Sequence, residues 1–448
     1  MKRQLLKRLE KWKASPTRKP LVIRGARQVG KTTLINTFGE SYKQYIYLNL
    51  EKEDHNAYFE KHSTVQTIVD SLFLKLELEN DYANTLLFID EIQENPKVIA
   101  LLRYFYEEIP ALHVISAGSL LEFALSQVKS FPVGRVQFLF LHPLNFSEFL
   151  SAMNKPNALK ALDQIPLSPS AYSTLLDYFH LYAIIGGMPE VVHRYLDEKS
   201  FTELIEVYEG IWGAYRNDVR KYAKNQTEEK VIFHLMTAAT NFLDERVTFQ
   251  NFGNSGYKSR EVAEAFRTLD EARIIQLIYP TTDVNFPIKT DLNKKPRMQF
   301  LDTGLVNYSL KIQHELIGLK DFSEAFKGKL IPHLITQELI SLNETSFHKP
   351  HFWVREKNQS SAEVDLVVNY KSMVIPIEIK SGKEGKLRSL HQFMEQCPHS
   401  FALRIYGGEL NIVQTKTPSG KPFELLNLPY FLGTKILEYV EWFVEGRN

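Results

Sequence analysis

Gly25-Ala26-Arg27-Gln28-Val29-Gly30-Lys31-Thr32 has the residue types and spacing of the phosphate-binding loop of nucleoside triphosphatases. Glycines at both ends let the backbone curl so that successive N–H groups point inward at phosphate oxygens. Lys31 then neutralises the β- and γ-phosphates and the Thr32 hydroxyl holds Mg²⁺. The following helix, with Thr33 in its first turn, adds the positive end of its dipole. Without phosphate the Lys31 ammonium is expected to face solvent. Loss of this lysine alone should therefore leave the fold intact.

A second group suits the same chemistry. Thr85-Leu86-Leu87-Phe88-Ile89 is a continuous apolar run ending in Asp90-Glu91. Such a run reads as a buried parallel strand that delivers acids to its C-terminal edge, where open α/β sheets bind ligands. Asp90 is placed to hold Mg²⁺ directly or through water, and Glu91 to polarise the attacking water. The competing reading is a buried strand followed by a polar helix cap, which leaves the phosphate loop without an acidic partner.

The elements around these residues have the required order. Pro20-Leu21-Val22-Ile23-Arg24 is strand-like, and Thr33-Leu34-Ile35-Asn36-Thr37-Phe38 has helical spacing and stops at Gly39. Residues 45–50 predict a second strand. His113-Val114-Ile115-Ser116-Ala117-Gly118-Ser119 predicts another, ending in hydroxyl residues suited to sensing a γ-phosphate; the sequence does not choose between Ser116 and Ser119. Arg135, in the turn Pro132-Val133-Gly134-Arg135, has two open roles. It either senses phosphate, within its own chain or across an oligomer, or pins the turn by a surface ion pair.

The chain has 448 residues and a composition typical of globular proteins, which predicts two to four domains. Its 54 basic and 53 acidic side chains nearly cancel, so nucleic-acid binding must rest on local patches. The single cysteine, Cys397, excludes an internal disulfide and a cysteine–histidine zinc site. There is no signal-peptide core and no apolar run of ~18 residues, so a cytoplasmic protein with no membrane span is expected. Leu5, Leu6, Leu9 and Trp12 share a helical face opposite lysines and arginines. That helix is expected to pack on the nucleotide domain rather than lie on a membrane.

Four units are expected: 1–150, a P-loop parallel-sheet ATPase core with its N-terminal helix; 151–227, a helical lid; 228–310, a winged-helix-like unit; and 311–448, a C-terminal α/β domain. Within the lid, Gly186-Gly187-Met188-Pro189 breaks the helical pattern, either to pack on an adenine ring or as a plain helix–helix turn. Tyr215-Arg216-Asn217-Asp218 has no derivable role. In the third unit a short helix is expected from Thr248, then a helix 260–271 capped by Ser259, then a strand 273–279. The mixed charge of Arg260, Glu261, Glu264, Arg267, Asp270 and Glu271 favours protein docking over DNA reading.

The C-terminal unit predicts helix 328–342, strands 351–355, 363–370 and 374–380, helix 384–396, and strands 401–405 and 410–413. That is the core order of restriction-endonuclease-like folds. Asp365 and, after twelve intervening residues, Glu378-Ile379-Lys380 fall on adjacent strands, with Glu378 and Lys380 on one face and Glu363 on the side of Asp365. Two carboxylates and a lysine so placed match a metal-dependent nuclease signature.

With these motifs in view, the chain resembles a prokaryotic family that joins an AAA-type ATPase, similar to the signal-transducing ATPases with numerous domains, to a C-terminal domain of unknown function with a nuclease-like core. The resemblance rests on Gly25 to Thr32, Phe88-Ile89-Asp90-Glu91-Ile92-Gln93, Ala117-Gly118-Ser119, Pro132 to Val136, Gly187-Met188-Pro189-Glu190, Leu301-Asp302-Thr303-Gly304-Leu305, Glu363-Val364-Asp365 and Ile377-Glu378-Ile379-Lys380. It implies ATP and Mg²⁺ as ligands and an adenine contact for Pro189. It also implies a glutamate where this chain has Pro332; Glu338 is too far along the helix to replace it. The resemblance thus favours a nucleotide-controlled switch with a weak or inactive nuclease-like module. Its partner is then a protein, or DNA held weakly and without sequence preference through Lys380, Lys383, Lys386 and Arg388. The alternative is an ATP-driven DNA-processing enzyme with a live nuclease.

Overall fold

The computed structural model describes residues 1–119, 134–319, 328–345, 348–357, 360–382 and 385–446. Five parallel strands, β1 (Leu21–Arg24), β2 (Gln44–Asn49), β3 (Thr85–Asp90), β4 (His113–Gly118) and β5 (Gln137–Phe140), form the first sheet in the order β2-β3-β4-β1-β5. Every residue of β3 and β4 is buried. Leu86 and Phe88 enter one hydrophobic core while Leu87 and Ile89 enter another on the opposite face. Burial on both faces explains the unbroken apolar run. The phosphate loop leaves β1 in the interior of the sheet, and the acids leave β3 one strand away, across β4.

The N-terminal helix Leu5–Ala14 buries Leu5, Leu9 and Trp12 in the core that also holds Leu34, Ile35 and Phe38 of the phosphate-loop helix Lys31–Gly39. Each buried leucine contributes roughly 1.5–3 kcal/mol, so the apolar stripe is spent on this core. Helices Phe146–Ala152, Pro156–Leu162, Tyr172–Ile185, Pro189–Glu198 and Leu204–Tyr222 follow, the last four within the segment expected as a lid and called the lid below. At the turn before Pro189 only glycine fits: a Cβ on Gly187 would lie 2.0 Å from the Leu144 carbonyl oxygen.

Helices Gln226–Ala238 and Ser259–Glu271 follow, then an antiparallel pair, β6 (Ile275–Ile278) and β7 (Arg297–Phe300). The short helix expected from Thr248 is a single 3₁₀ turn, Phe252–Asn254. Lys258, not Ser259, caps the next helix, its N–H donating to Glu261 at 2.9 Å.

Helix Leu330–Ser341 precedes a six-stranded sheet of β8 (His351–Lys357), β9 (Ser360–Tyr370), β10 (Met373–Ile379), β11 (Phe401–Tyr406), β12 (Asn411–Lys416) and β13 (Pro422–Pro429), ordered β12-β13-β11-β10-β9-β8. Helix Arg388–Gln396 crosses over between the parallel strands β10 and β11. Among the elements that escape the sequence reading are β13, whose apolar run is interrupted by Glu424 and Asn427, and helix Ile436–Glu445. Backbone hydrogen bonds from Thr281 N–H to the Phe352 carbonyl (2.8 Å) and from Val354 N–H to Thr281 (3.0 Å) join the β6–β7 segment to β8.

A buried polar network binds lid, hairpin unit and C-terminal helix. Asp302 accepts the Gly187 N–H at 2.6 Å and caps helix Thr303–Leu310 through the Leu305 N–H at 3.1 Å. Thr303 N–H donates to Gln337 at 2.8 Å. Next along the same helix, Glu338 accepts the Phe146 N–H at 3.1 Å and lies 2.6 Å from the Tyr182 hydroxyl, which is also 2.9 Å from the Leu144 carbonyl. One hydroxyl carries one proton. Burial lifts the Glu338 carboxyl to about 8. A protonated Glu338 donates to Tyr182 while Tyr182 donates to Leu144, and every group is satisfied.

Stability consequently depends on pH. Unfolded, Glu338 ionises near its ordinary 4.5, and folded near 8. Between these values only the folded state keeps the proton, so this group's contribution is full below the lower value and is lost as pH rises through the upper one. Glu338→Gln, which keeps one donor and one acceptor, should lose less stability than wild type between about pH 5 and about pH 9 in denaturant titrations. Glu338→Ala should cost about 1–3 kcal/mol by leaving the Phe146 N–H unmatched. Equal pH slopes in wild type and Glu338→Gln would place the proton elsewhere.

Candidate functional site

Between β1 and its helix the chain takes left-handed or extended conformations that turn N–H groups inward: Gly25 at φ +156°, Gln28 at +62° and Gly30 at +90°. Ala26 and Val29 anchor the loop from beneath, both fully buried. Lys31 departs from expectation. Its side chain is buried, at 7 % exposure, inside the curl of the loop, donating to the carbonyls of Gly25 (3.1 Å) and Ala26 (2.8 Å). Burial lowers it to about 8, with Glu91 and Asp90 opposing the shift, so it stays mostly charged at neutral pH.

β3 brings the acids to the same edge. Asp90, 2 % exposed, accepts the Thr32 hydroxyl at 2.7 Å and the Tyr47 hydroxyl at 3.2 Å on one oxygen. Burial raises its carboxyl above the ordinary value. A hydroxyl and a carboxylate in contact suit Mg²⁺, which prefers one or two protein oxygens plus phosphates and water. Among the described residues no three histidine, cysteine or acidic side chains converge as a dedicated metal cage. Glu91 sits at φ +51°, a conformation costing about 1–3 kcal/mol for a residue with a side chain, and this turns it out of the strand. Gln93 donates to Glu91 at 2.6 Å, while a Cβ on Gly118 would lie 2.4 Å from the other Gln93 side-chain atom, Oε1. Gln93 therefore braces Glu91 against the tip of β4.

These groups open onto a cavity of about 950 Å³ whose lining includes Arg27, Thr32, Thr33, Glu91 and Pro189. A Cβ at Gly30 would lie 3.6 Å from Pro189 Cγ, so the lid turn rests on the loop. Other residues were not foreseen from the sequence. Arg3 donates to the Val29 carbonyl at 2.9 Å and pairs with Glu148 at 3.1 Å. From the lid helix, Asp218 holds Arg27 at 2.7 Å, and the Tyr215 hydroxyl donates to the Arg27 carbonyl at 3.0 Å. Neither ion pair has a local sequence signal, because Glu148 lies 145 residues from Arg3 and Asp218 lies 191 from Arg27.

Two expected residues separate. Ser119 follows β4 at the ligand edge, but Ser116 is fully buried, with Oγ 3.5 Å from the Leu21 carbonyl between β4 and β1. Arg135 lies at the opposite edge of the sheet, since Leu21 at the start of β1 pairs with Gln137. It is 46 % exposed and pairs with Glu107 at 3.2 Å, so the structure supplies the ion pair and does not bring Arg135 to the nucleotide edge of its own chain. Pro132 and Val133 lie outside the described residues.

The C-terminal acids do converge. Ile377 pairs with Leu366, which sets Glu378 across from Asp365. Lys380 donates to Glu378 at 2.7 Å, and Ile379 N–H donates to Asp365 at 2.7 Å. Burial beside Asp365 raises Glu378 to about 7. The same face holds a cation that the sequence reading missed: Arg297 of β7 contacts both Glu363 and Asp365. Pro332 is buried in helix Leu330–Ser341, and Glu338 serves the lid network. Lys386 and Arg388 are exposed; Lys383 lies outside the described residues.

Comparison with known proteins agrees with the N-terminal geometry. Residues 17–150 match the family described as AAA domain, 176–316 a domain of unknown function (DUF8612), and 327–426 a second one (DUF4143). Residues 17–150 are thus an AAA-type, P-loop ATPase-like domain. No curated protein matches the chain. Among solved structures, the Walker-type ATPase PABY2304 of Pyrococcus abyssi is 15 % identical at TM-score 0.44, covering 68 % of this chain and 94 % of that one. The Aeropyrum pernix ORC1 protein, solved in complex with DNA, is 14 % identical at TM-score 0.31, covering 68 % and 91 %. The signal transduction ATPase with numerous domains PH0952 of Pyrococcus horikoshii, which has a tetratricopeptide repeat sensor, is 14 % identical at TM-score 0.28, covering 76 % and 45 %.

Replacing Lys31 tests the phosphate loop. Lys31→Ala should weaken nucleoside triphosphate binding at least about 10–100-fold, the loss of a charge-assisted contact worth roughly 1.5–3 kcal/mol. Calorimetry reads the affinity and circular dichroism the fold. An unchanged affinity would remove the loop from nucleotide binding.

Proposed function

We propose that the chain is a nucleotide-controlled switch: its AAA-type domain binds and hydrolyses ATP with Mg²⁺, and the lid passes the nucleotide state to the β6–β7 unit and the C-terminal domain. The observation that carries this reading is the convergence of Lys31, Thr32, Asp90 and Glu91 on one sheet edge, beneath a lid whose Asp218 grips the phosphate loop itself.

Each residue has a role set by its position. Loop N–H groups and Lys31 hold the β- and γ-phosphates, the lysine exchanging its Gly25 and Ala26 carbonyls for phosphate oxygens. Thr32 and Asp90 hold Mg²⁺, which when bound neutralises developing phosphate charge. Glu91 polarises the attacking water, held in place by Gln93; Ser119 is the sensor candidate. Pro189 and Arg3 border the base side of the cavity. Arg27 lies between Asp218 and the incoming phosphates, so nucleotide binding competes directly with the lid's hold.

We read the β6–β7 unit as winged-helix-like and the C-terminal sheet as a restriction-endonuclease-like core serving as an interaction module. Among the described residues no helix is long and apolar enough to cross a membrane. Exposed Lys386 and Arg388 suit weak, sequence-independent, salt-sensitive contact with DNA. A second reading, an ATP-driven DNA-processing enzyme, is favoured by the Asp365, Glu378 and Lys380 cluster alone.

Glu91→Gln separates binding from hydrolysis. It should retain ATP affinity in calorimetry yet release phosphate at least ~10²-fold more slowly, the scale of losing a positioned base. Near-normal turnover would transfer the role to another group, with Gln93 and Ser119 next in line.

A further inference from the structure

β7 carries a guanidinium out of its hairpin and into the acidic face of the neighbouring sheet. Arg297 is 9 % exposed, and three carboxylates surround it: Glu363, Asp365 at 3.3 Å and Asp244 at 3.4 Å. It also donates to the Asp365 main-chain carbonyl at 3.2 Å and stacks 4.6 Å from the centre of the Phe352 ring. The acids come from two segments, Asp244 before the hairpin and Glu363 and Asp365 on β9. Arg246 adds a second positive charge, 2.6 Å from Glu356 and 3.8 Å from Glu363.

These contacts use up the oxygens that a divalent ion would need. One Asp365 oxygen accepts the Ile379 N–H and the other faces Arg297; Glu378 Oε1 accepts Lys380. Of the Asp365 and Glu378 oxygens, Glu378 Oε2 is the one buried without a partner among the described residues. Mg²⁺ demands near-octahedral oxygens at about 2.0–2.1 Å, and among the described residues no three acids converge in that way. The residues as arranged do not fit the metal.

We propose that Arg297 is a built-in occupant of this acidic seat, an internal guanidinium standing where a nuclease-like site would hold its metal. The face is then an ion-pair joint that fastens the β6–β7 hairpin to the C-terminal sheet. The inference is independent of the nucleotide site, because none of its residues lines that cavity.

The test is a Mn²⁺ titration of the full chain without nucleotide, by calorimetry. Wild type and Asp365→Asn should give superimposable curves, any shared signal belonging to the nucleotide edge. Arg297→Met, similar in length and uncharged, should raise Mn²⁺ affinity about 10-fold or more by removing one adjacent positive charge. That gain should vanish in Arg297→Met/Asp365→Asn. Wild-type binding that depends on Asp365 would overturn the proposal, as would a folded Arg297→Met with no Asp365-dependent binding. If Arg297→Met fails to fold, the wild-type pair still decides: identical curves support the filled seat and a difference refutes it.

Discussion

The buried carboxylate of Asp302 is the point on which the arrangement of the units turns. One oxygen takes the Gly187 N–H of the lid turn, and the other caps the helix that begins at Thr303. Burial raises it to about 6, while the backbone N–H groups hold it down. A side chain on Gly186 would strike Asp302 Oδ1 at 2.3 Å, and one on Gly187 the Leu144 carbonyl. The lid turn is therefore fixed by a carboxylate on one side and a main-chain oxygen on the other. From that fixed turn Pro189 reaches the phosphate loop, and Thr303 reaches Gln337 in the C-terminal helix.

Two arginines show how differently an ion pair behaves in two settings. Arg27 has one carboxylate partner and is 36 % exposed. Its Asp218 partner is buried, at 2 % exposure, but Arg27 itself lines the nucleotide cavity, so phosphates can compete for its exposed side. Arg297 has three carboxylate partners and is nearly sealed from water. Removing one partner of such a buried group costs about 3–5 kcal/mol. The first contact is suited to exchange during a nucleotide cycle and the second to permanence.

The nucleotide edge stores its own tension. Lys31 is desolvated yet charged, Asp90 is buried, and Glu91 holds a left-handed backbone. Each feature disfavours the isolated fold. Gln93, in the 3₁₀ turn that follows β3 and packed against Gly118 at the tip of β4, limits the freedom of Glu91.

Some of this was determined by the sequence alone. The phosphate loop, the acidic strand, the N-terminal helix and the sheet order of Glu363, Asp365, Glu378 and Lys380 are local patterns, because spacing of 2 or 3.6 residues fixes which side chains share a face. The tertiary structure decided what those side chains meet. Ser116 is taken up in strand packing, and the parallel register sends Arg135 away from the nucleotide edge of its own chain. Lys31 turned inward because loop carbonyls lay within its reach. Asp218, Arg3 and Arg297 gained their roles from oppositely charged partners 53 to 191 residues distant. No periodicity encodes such distances: a charged side chain in a helix or strand reads the same whether its counter-charge is water, a phosphate or an arginine from another unit.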